Sequence, residues 1–558
     1  MAYIPIIRQI RNLNKRREAN KLRWIYIDLD EPLQERPDPP KNFIMKRVFP
    51  PKLMSIAFLE DYFEKLSKLR NFEGIILHMR KIPNGYARIQ SLRNLITNFR
   101  KTGKKVIVYK QNYDISEYYL ASAADEVCLQ GAGSLYIIGL QMHNLFLKNA
   151  LEKRGYKADV VPISPYKSAG DMFRRTEFSK EDKEQRTVFL DTIFKTITDS
   201  LSSALNKTQD EIVDIINKSP YSAKEALEQG LIHRIISEEN LIEYVRKTYS
   251  KGKKLKILTV EKSLKKLPIL RKKRTQKRIS IVSVEGTIVD GKSRKPPFKI
   301  PIPIIGDDQA GDQTIVRLLR KVKRDKRTKA VVFHVNSGGG SAASSEAMCS
   351  AIKELTKKKP VVVYFNDVAA SGGYYIATSS NWVVAQPMTL TGSIGVINFK
   401  FVTQDALQKQ GINREYIRKG ERAGLYSPDK PYSEEERKLV YNSINSLYDV
   451  FLDHVSEFRK MEREQIEKYC GGRIWSGRDA LEIGLIDELG GIKNAINKAA
   501  ELAKIKPEKC KIVDVYKAEA DVPIWYKDGK IDLFLDDWIE PFRKTNSWMI
   551  LPEKIVIE

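Results

Sequence analysis

The stretch VAASGGYYIA at 368–377 sets a serine, Ser371, in front of two glycines and two tyrosines. At the head of a helix, a serine hydroxyl meets unpaired backbone N–H groups and the positive end of the helix dipole, which favour a developing alkoxide. The simpler alternative is an N-cap, a common post for serine. Upstream, NSGGGS at 336–341 follows a strand-like run with three consecutive glycines. Without Cβ atoms in the way, their N–H groups can face open space as in an oxyanion hole, although a tight flexible turn is the plainer account. TGSIGV at 391–396 lies in the same half of the chain. Together the three motifs point to attack by a serine on a carbonyl.

Such a nucleophile needs a base. His334 is the histidine close to these motifs, but it lies inside a strand-like run and is matched by His78 in a half that lacks the serine, so a structural role is expected. The alternative is a lysine kept neutral by burial, since desolvation lowers the pKa of an ammonium group. Lys167, in VVPISPYKSAGDMF at 160–173, follows apolar residues and prolines in a chain whose lysines mostly cluster with other charges. On composition alone an ordinary, partly buried lysine is the simpler reading. Cys128, Cys349, Cys470 and Cys510 show no CxxC spacing, and the five histidines form no HExxH, so neither a metal nor a cofactor is expected. Reduced structural thiols fit a reducing interior.

The elements that must position these residues occur twice. YYLASAADEVCLQ from Tyr118 and YYIATSSNWVVAQ from Tyr374 stand 256 residues apart, as do GIILHM from Gly74 and AVVFHV from Ala330. ALEQGLI from Ala226 and ALEIGLI from Ala480 stand 254 apart. Short Val- and Ile-rich runs alternate with helical patterns, which implies an α/β fold of βαβ units with buried parallel strands. In the second half strands are expected at 278–286, 329–335 and 360–365, and helices at 313–323 and 341–356. The expected organisation is a basic segment 1–24, a first domain 25–250, a basic linker 251–278, a second domain 279–510 and an extension 511–558. The Pro-rich stretch at 295–308 reads as an exposed loop or flap.

At 558 residues with 42% hydrophobic and 30% charged residues, the chain is long enough for more than one globular domain. Its net charge of +27 is uneven: segments 1–24 and 251–278 hold twenty Lys/Arg and two acids between them. These read as patches for anionic lipid or another polyanion, or as solubilising linkers, and no nucleic-acid partner is expected. No window is apolar enough for a membrane-spanning helix, and the start lacks the apolar core of a secretory signal, so a cytoplasmic or membrane-peripheral location is expected. Ile4, Ile7, Ile10 and Leu13 at helical spacing are compatible with a helix lying on a membrane or with a plain solvated one.

The chain resembles the long, duplicated form of signal peptide peptidase A, also called protease IV, of the S49 serine peptidases. YKSA at 166–169 corresponds to the family's lysine motif and ASGGY at 370–374 to its serine motif. The resemblance, from about residue 20 to 505, implies two tandem crotonase/Clp-protease-like domains of repeated ββα units. It also implies a Ser371/Lys167 dyad, with oxyanion donors at Gly339 and Gly372 and Ser393 orienting the lysine. Where the family has SPGG this chain has Ser337, Gly338, Gly339 and Gly340, a loss of proline expected to loosen the turn. By the same resemblance the substrates are cleaved signal peptides or other membrane-derived or unfolded peptides. The resemblance also implies a homotetramer, with the two halves facing each other to join the dyad. The rivals are a crotonase-like acyl-CoA enzyme and a catalytically silent scaffold binding anionic membrane.

Overall fold

The computed structural model describes residues 15–39, 54–250, 255–268, 276–295, 308–516, 526–527, 530–531, 547–551 and 556–557. The helical spacing at 4–13, parts of the basic linker (251–254 and 269–275) and most of the Pro-rich stretch (296–307) therefore lie outside the described residues. The chain forms two compact units: Met1–Leu140 with Ile193–Arg274, and Gln141–Thr192 with Thr275–Glu558. The segment carrying Lys167, which the repeat assigns to the first half of the chain, thus packs with the second.

Each unit is built on the same parallel sheet. In the first the spatial order is Arg234–Ile235, Glu126–Leu129, Lys105–Lys110, Gly74–Met79, Trp24–Leu29, Ile257–Thr259. In the second the corresponding strands are Glu488–Leu489, Trp382–Ala385, Val361–Ala370, Thr328–Ser337, Arg278–Glu285, Lys511–Asp514, and Leu390–Gly392 and Ile474–Ser476 extend the same sheet from Val361–Ala370. The orders match strand for strand, each strand beginning 254 or 256 residues after its counterpart. Continuous apolar runs such as GIILHM, buried at every residue, suit strands covered on both faces. The helices Asp312–Arg324 and Ala342–Thr356 fall where the 3.6-residue pattern places them.

The repeated motifs turn out to be anchors. Tyr118 donates its hydroxyl hydrogen to the Leu231 carbonyl at 2.6 Å, and Tyr374 does the same to Leu485 at 2.7 Å, so the paired tyrosines tie into the paired ALE-x-GLI turns. Buried His334 approaches Ser283 Oγ at 3.2 Å and Asn366 Nδ2 at 3.1 Å, the structural role its strand position implied.

The second unit has a further sheet: Gln309–Gly311, Thr287–Val289, Gly339–Ser341, Ser547–Ile550, Ile397–Val402 and Lys157–Pro162. Lys157–Pro162 pairs antiparallel with Ile397–Val402 along all six residues, which carries the loop after Pro162 into this unit. Among the described residues no helix is long and apolar enough to cross a membrane.

Candidate active site

Ser371 stands where the strand Val361–Ala370 turns into the short helix Gly372–Tyr375. Ala370 pairs with Gly392, and the Ser371 N–H donates to the Gly392 carbonyl at 2.8 Å. Its φ of 56° and ψ of −116° lie in a region that side chains avoid, at a cost of about 1–3 kcal/mol. The hydroxyl makes no cap bond, so the N-cap alternative is not what this serine does. The glycines after it are needed for space: a Cβ on Gly373 would lie 2.3 Å from the Ser337 carbonyl oxygen, and one on Gly372 would lie 2.6 Å from Ser345 Oγ.

Lys167 arrives from the loop after Lys157–Pro162. Its Nζ lies 2.7 Å from Ser371 Oγ, 2.8 Å from the Ser393 carbonyl oxygen and 2.9 Å from Ser393 Oγ. Lys167 is buried, and burial alone pushes its pKa well below the usual lysine value. All three partners are oxygens. The amine donates to Ser371 Oγ and to both Ser393 oxygens, while the Ser371 hydroxyl faces the Gly395 carbonyl at 3.4 Å. Ser393 holds this pose with φ of 49° and an N–H bond to the Arg473 carbonyl at 2.7 Å. Both partners belong to one unit, so this pairing needs no second copy of the chain to complete it.

Several groups that sequence reasoning missed hold the lysine in place. Ser168, next to it, donates to buried Asp182 at 2.8 Å, which also accepts from Gln185 Nε2 and Arg186 Nε at 2.9 Å each. Gln185 reaches on to the Tyr166 carbonyl at 3.2 Å and accepts the Ile474 N–H at 3.0 Å, bridging the lysine loop to the strand Ile474–Ser476. Gly472, with φ of 91°, lies flat on the lysine backbone, and a Cβ there would sit 2.6 Å from Lys167 Cα. The pair Gly471–Gly472 was a visible signal, whereas Asp182 and Gln185 sit in a charge-rich stretch that reads as solvated surface.

Gly339–Ser341 is a strand paired on both sides, to Ile288 and to Ser547–Ile550. At Gly338, which stands in place of the family's proline, the carbonyl accepts the Leu551 N–H at 2.5 Å. Gly339 and Gly372 lie side by side, the Gly372 nitrogen 2.7 Å from where a Cβ on Gly339 would be. The Gly339 N–H itself donates to Ser337 Oγ at 3.1 Å.

A family model, peptidase family S49, matches residues 98–252 and 353–506, spans that contain Lys167, Ser371, Gly372 and Ser393. The chain is similar to the chloroplastic serine protease SPPA of Arabidopsis thaliana, 33% identical over 478 residues that make up 84% of this chain and 69% of that one. It is also similar to Protease 4 of Haemophilus influenzae, 32% identical over 452 residues, 78% of this chain and 70% of the relative. A putative signal peptide peptidase SppA of Enterococcus faecium is 32% identical over 233 residues, 41% of this chain and 65% of the relative.

Proposed function

The chain belongs to peptidase family S49 and is a protease, and we propose that Ser371 is its nucleophile and Lys167 its general base. The observation that carries this reading is the buried Lys167 amine 2.7 Å from Ser371 Oγ, with both remaining contacts made to Ser393. As Ser371 Oγ attacks a peptide carbonyl, the Lys167 lone pair takes its proton. Negative charge on the carbonyl oxygen is received by the Gly372 N–H and by the Gly339 N–H, which exchanges its Ser337 partner for the substrate. Lysinium then protonates the leaving amine, and water deprotonated by the same lysine hydrolyses the ester. The proposed substrates are extended apolar peptides, such as cleaved signal peptides or other membrane-derived or unfolded segments, in keeping with the name of the Enterococcus relative.

Labelling with a fluorophosphonate tests the nucleophile, since an acyl-CoA enzyme built on the same fold has no activated serine to react. Peptide mapping is expected to find the adduct on Ser371, and labelling to vanish in Lys167→Met. Continued peptide hydrolysis by protein with no adduct at Ser371 would overturn the assignment.

A further inference from the structure

One helix packs the same way in both copies and carries a different charge in each. Ile56–Ser67 in the first unit buries Leu59, Tyr62, Phe63 and Leu66, and Asp312–Arg324 in the second buries Ile315, Leu318, Leu319 and Val322, each 256 residues on. On its outer face the first helix pairs Asp61 with Lys65 at 3.7 Å and Glu64 with Lys68 at 2.5 Å. At the aligned positions the second has Arg317 for Asp61 and Arg320 for Glu64. Lys329 likewise replaces Glu73, which pairs with Arg23 at 2.6 Å in the first unit. Arg317 thus neighbours Arg320 and Lys321, and Arg320 neighbours Arg324, at the three- and four-residue spacings where like charges repel. The first copy folds with balanced charge here, so packing does not account for these cations.

This helix ends where the strands begin. Val361–Ala370, Thr328–Ser337, Arg278–Glu285 and Lys511–Asp514 are consecutive neighbours in one parallel sheet, their starts about 4.8 Å apart. Every start is cationic: KKK at 357–359 precedes the first and Lys326 and Arg327 the second, while Lys277 and Arg278 open the third and Lys509 and Lys511 the fourth. Helices on both faces of the sheet finish at this end too, Ala342–Thr356 on one face and Ile492–Leu502, followed by Lys504 and Lys506, on the other. Some of these charges are engaged. The Lys359 ammonium donates to the Val322 and Asp325 carbonyls at 2.6 and 2.7 Å, Glu354 pairs with Lys323 and Lys357, and Asp325 pairs with Arg278 and Arg327. Among the described residues, Arg317, Arg320, Lys321, Arg324, Lys326 and Lys329 are exposed and pair with no acid. In sequence, RKKR at 271–274 comes just before Lys277 and adds four more cations.

We propose that this end of the second unit, led by Arg317, Arg320 and Lys329, docks on the surface of an anionic lipid bilayer. The array is a plane, a row of strand starts flanked by helix ends, and its match is a plane of headgroup charge. Each Lys or Arg held near such a surface strengthens binding about five-fold. Among residues 312–329 and 357–359 no large hydrophobic side chain is exposed, so nucleic-acid bases have no platform on which to stack. Ser371 stands at the opposite end of Val361–Ala370, ten residues and about 30 Å away, so the docked chain keeps its active site clear of the headgroups. The proposal concerns binding alone and does not depend on the dyad; it would keep the protease where membrane-derived peptides arise.

Flotation of the full-length chain tests it, with vesicles of phosphatidylcholine alone and of phosphatidylcholine and phosphatidylserine in equal parts. The wild-type chain is expected to float with the anionic vesicles only and to be released by salt. Arg317→Gln, Arg320→Gln and Lys329→Gln together should weaken capture about 100-fold. Arg317→Asp, Arg320→Glu and Lys329→Glu, the residue types of the first copy, should abolish it. This acid variant should melt no lower than wild type, because the first two changes put acids four residues before Lys321 and Arg324. Lys419→Glu, Arg422→Glu and Lys438→Glu, which shift net charge equally at exposed positions outside this end, should leave capture nearly unchanged. No capture of the wild-type chain, capture that persists in the acid variant, or capture that falls as far in the control overturns the proposal. So does a labelled DNA duplex whose binding is lost in the acid variant while vesicle capture is kept, which would assign this end to nucleic acid.

Discussion

The two units begin the same helix in opposite ways. In the first, Asp114 caps Ile115–Ala121: its carboxylate accepts the Glu117 N–H at 2.7 Å, and the Glu117 carboxylate accepts the Asp114 N–H at 3.1 Å. Such a cap is worth about 1 kcal/mol. In the second, 256 residues on, Ser371 takes the place of Ile115, makes no cap bond and carries a φ of 56°. Downstream the two are alike, each anchored by a tyrosine hydroxyl on a leucine carbonyl. The glycine turn differs likewise: its counterpart begins with Arg80, which pairs with Asp28 at 3.0 Å and Glu238 at 2.5 Å and fills the end of the sheet with ion pairs. One copy is optimised as scaffold. The other keeps local strain and a buried amine where the proposed chemistry occurs.

If that contrast is sound, removing the amine has the largest effect. Lys167→Met is expected to lower kcat/KM by about 10,000-fold, near 5.5 kcal/mol of barrier, while raising thermal stability at neutral pH. The sign follows from the lowered pKa: between the folded and unfolded pKa values the unfolded chain binds the extra proton, so Lys167 subtracts stability. That deficit is full below the folded pKa and shrinks as pH rises towards the unfolded value of about 10.4, so the gain in Tm should fade in alkaline buffer. A variant less stable than wild type at pH 7 would break the comparison. Gly472→Val pushes on the Lys167 backbone without touching either reacting group, and kcat should fall about 100-fold by misplacement of the amine. Unchanged kcat would show that the lysine is not held from that side.

The smallest effect sharpens the contrast most. Ser371→Gly relieves strain of about 1–3 kcal/mol but adds about 0.5–1 kcal/mol of unfolded-state entropy, so it should stabilise by about 1 kcal/mol. Ile115→Gly, at the aligned position, empties a buried site and should destabilise by about 2–5 kcal/mol. Thermal melts of the two variants are expected to move in opposite directions, and movement in the same direction would mean the two helix heads are not strained differently.

The repeat was legible in the sequence because it rests on local alternation: a fixed offset over three blocks announces one topology used twice, and the matched histidines and tyrosines prove to be anchors. The partnership of Lys167 with Ser371 was legible only through resemblance to a family. It is created by the pairing of Lys157–Pro162 with Ile397–Val402, a long-range register that nothing near Lys167 encodes. Asp182 escaped notice for a related reason, being one acid among many in a charged helix and distinguished only by its burial. The SWMI run at 547–550 lay in what read as a bare extension, since four residues show no period until their partners are known.

The central claim is that a neutral Lys167 removes the Ser371 proton. It is tested most directly by the pH dependence of kcat/KM on a quenched apolar peptide, with Lys167 compared to γ-thialysine made by aminoethylating Lys167→Cys in a background where the other cysteines are replaced. Activity should rise with unit slope through a midpoint well below the ordinary lysine value of about 10.4, and the less basic thialysine should move that limb to lower pH. A limb that stays in place when the amine is changed would contradict the account.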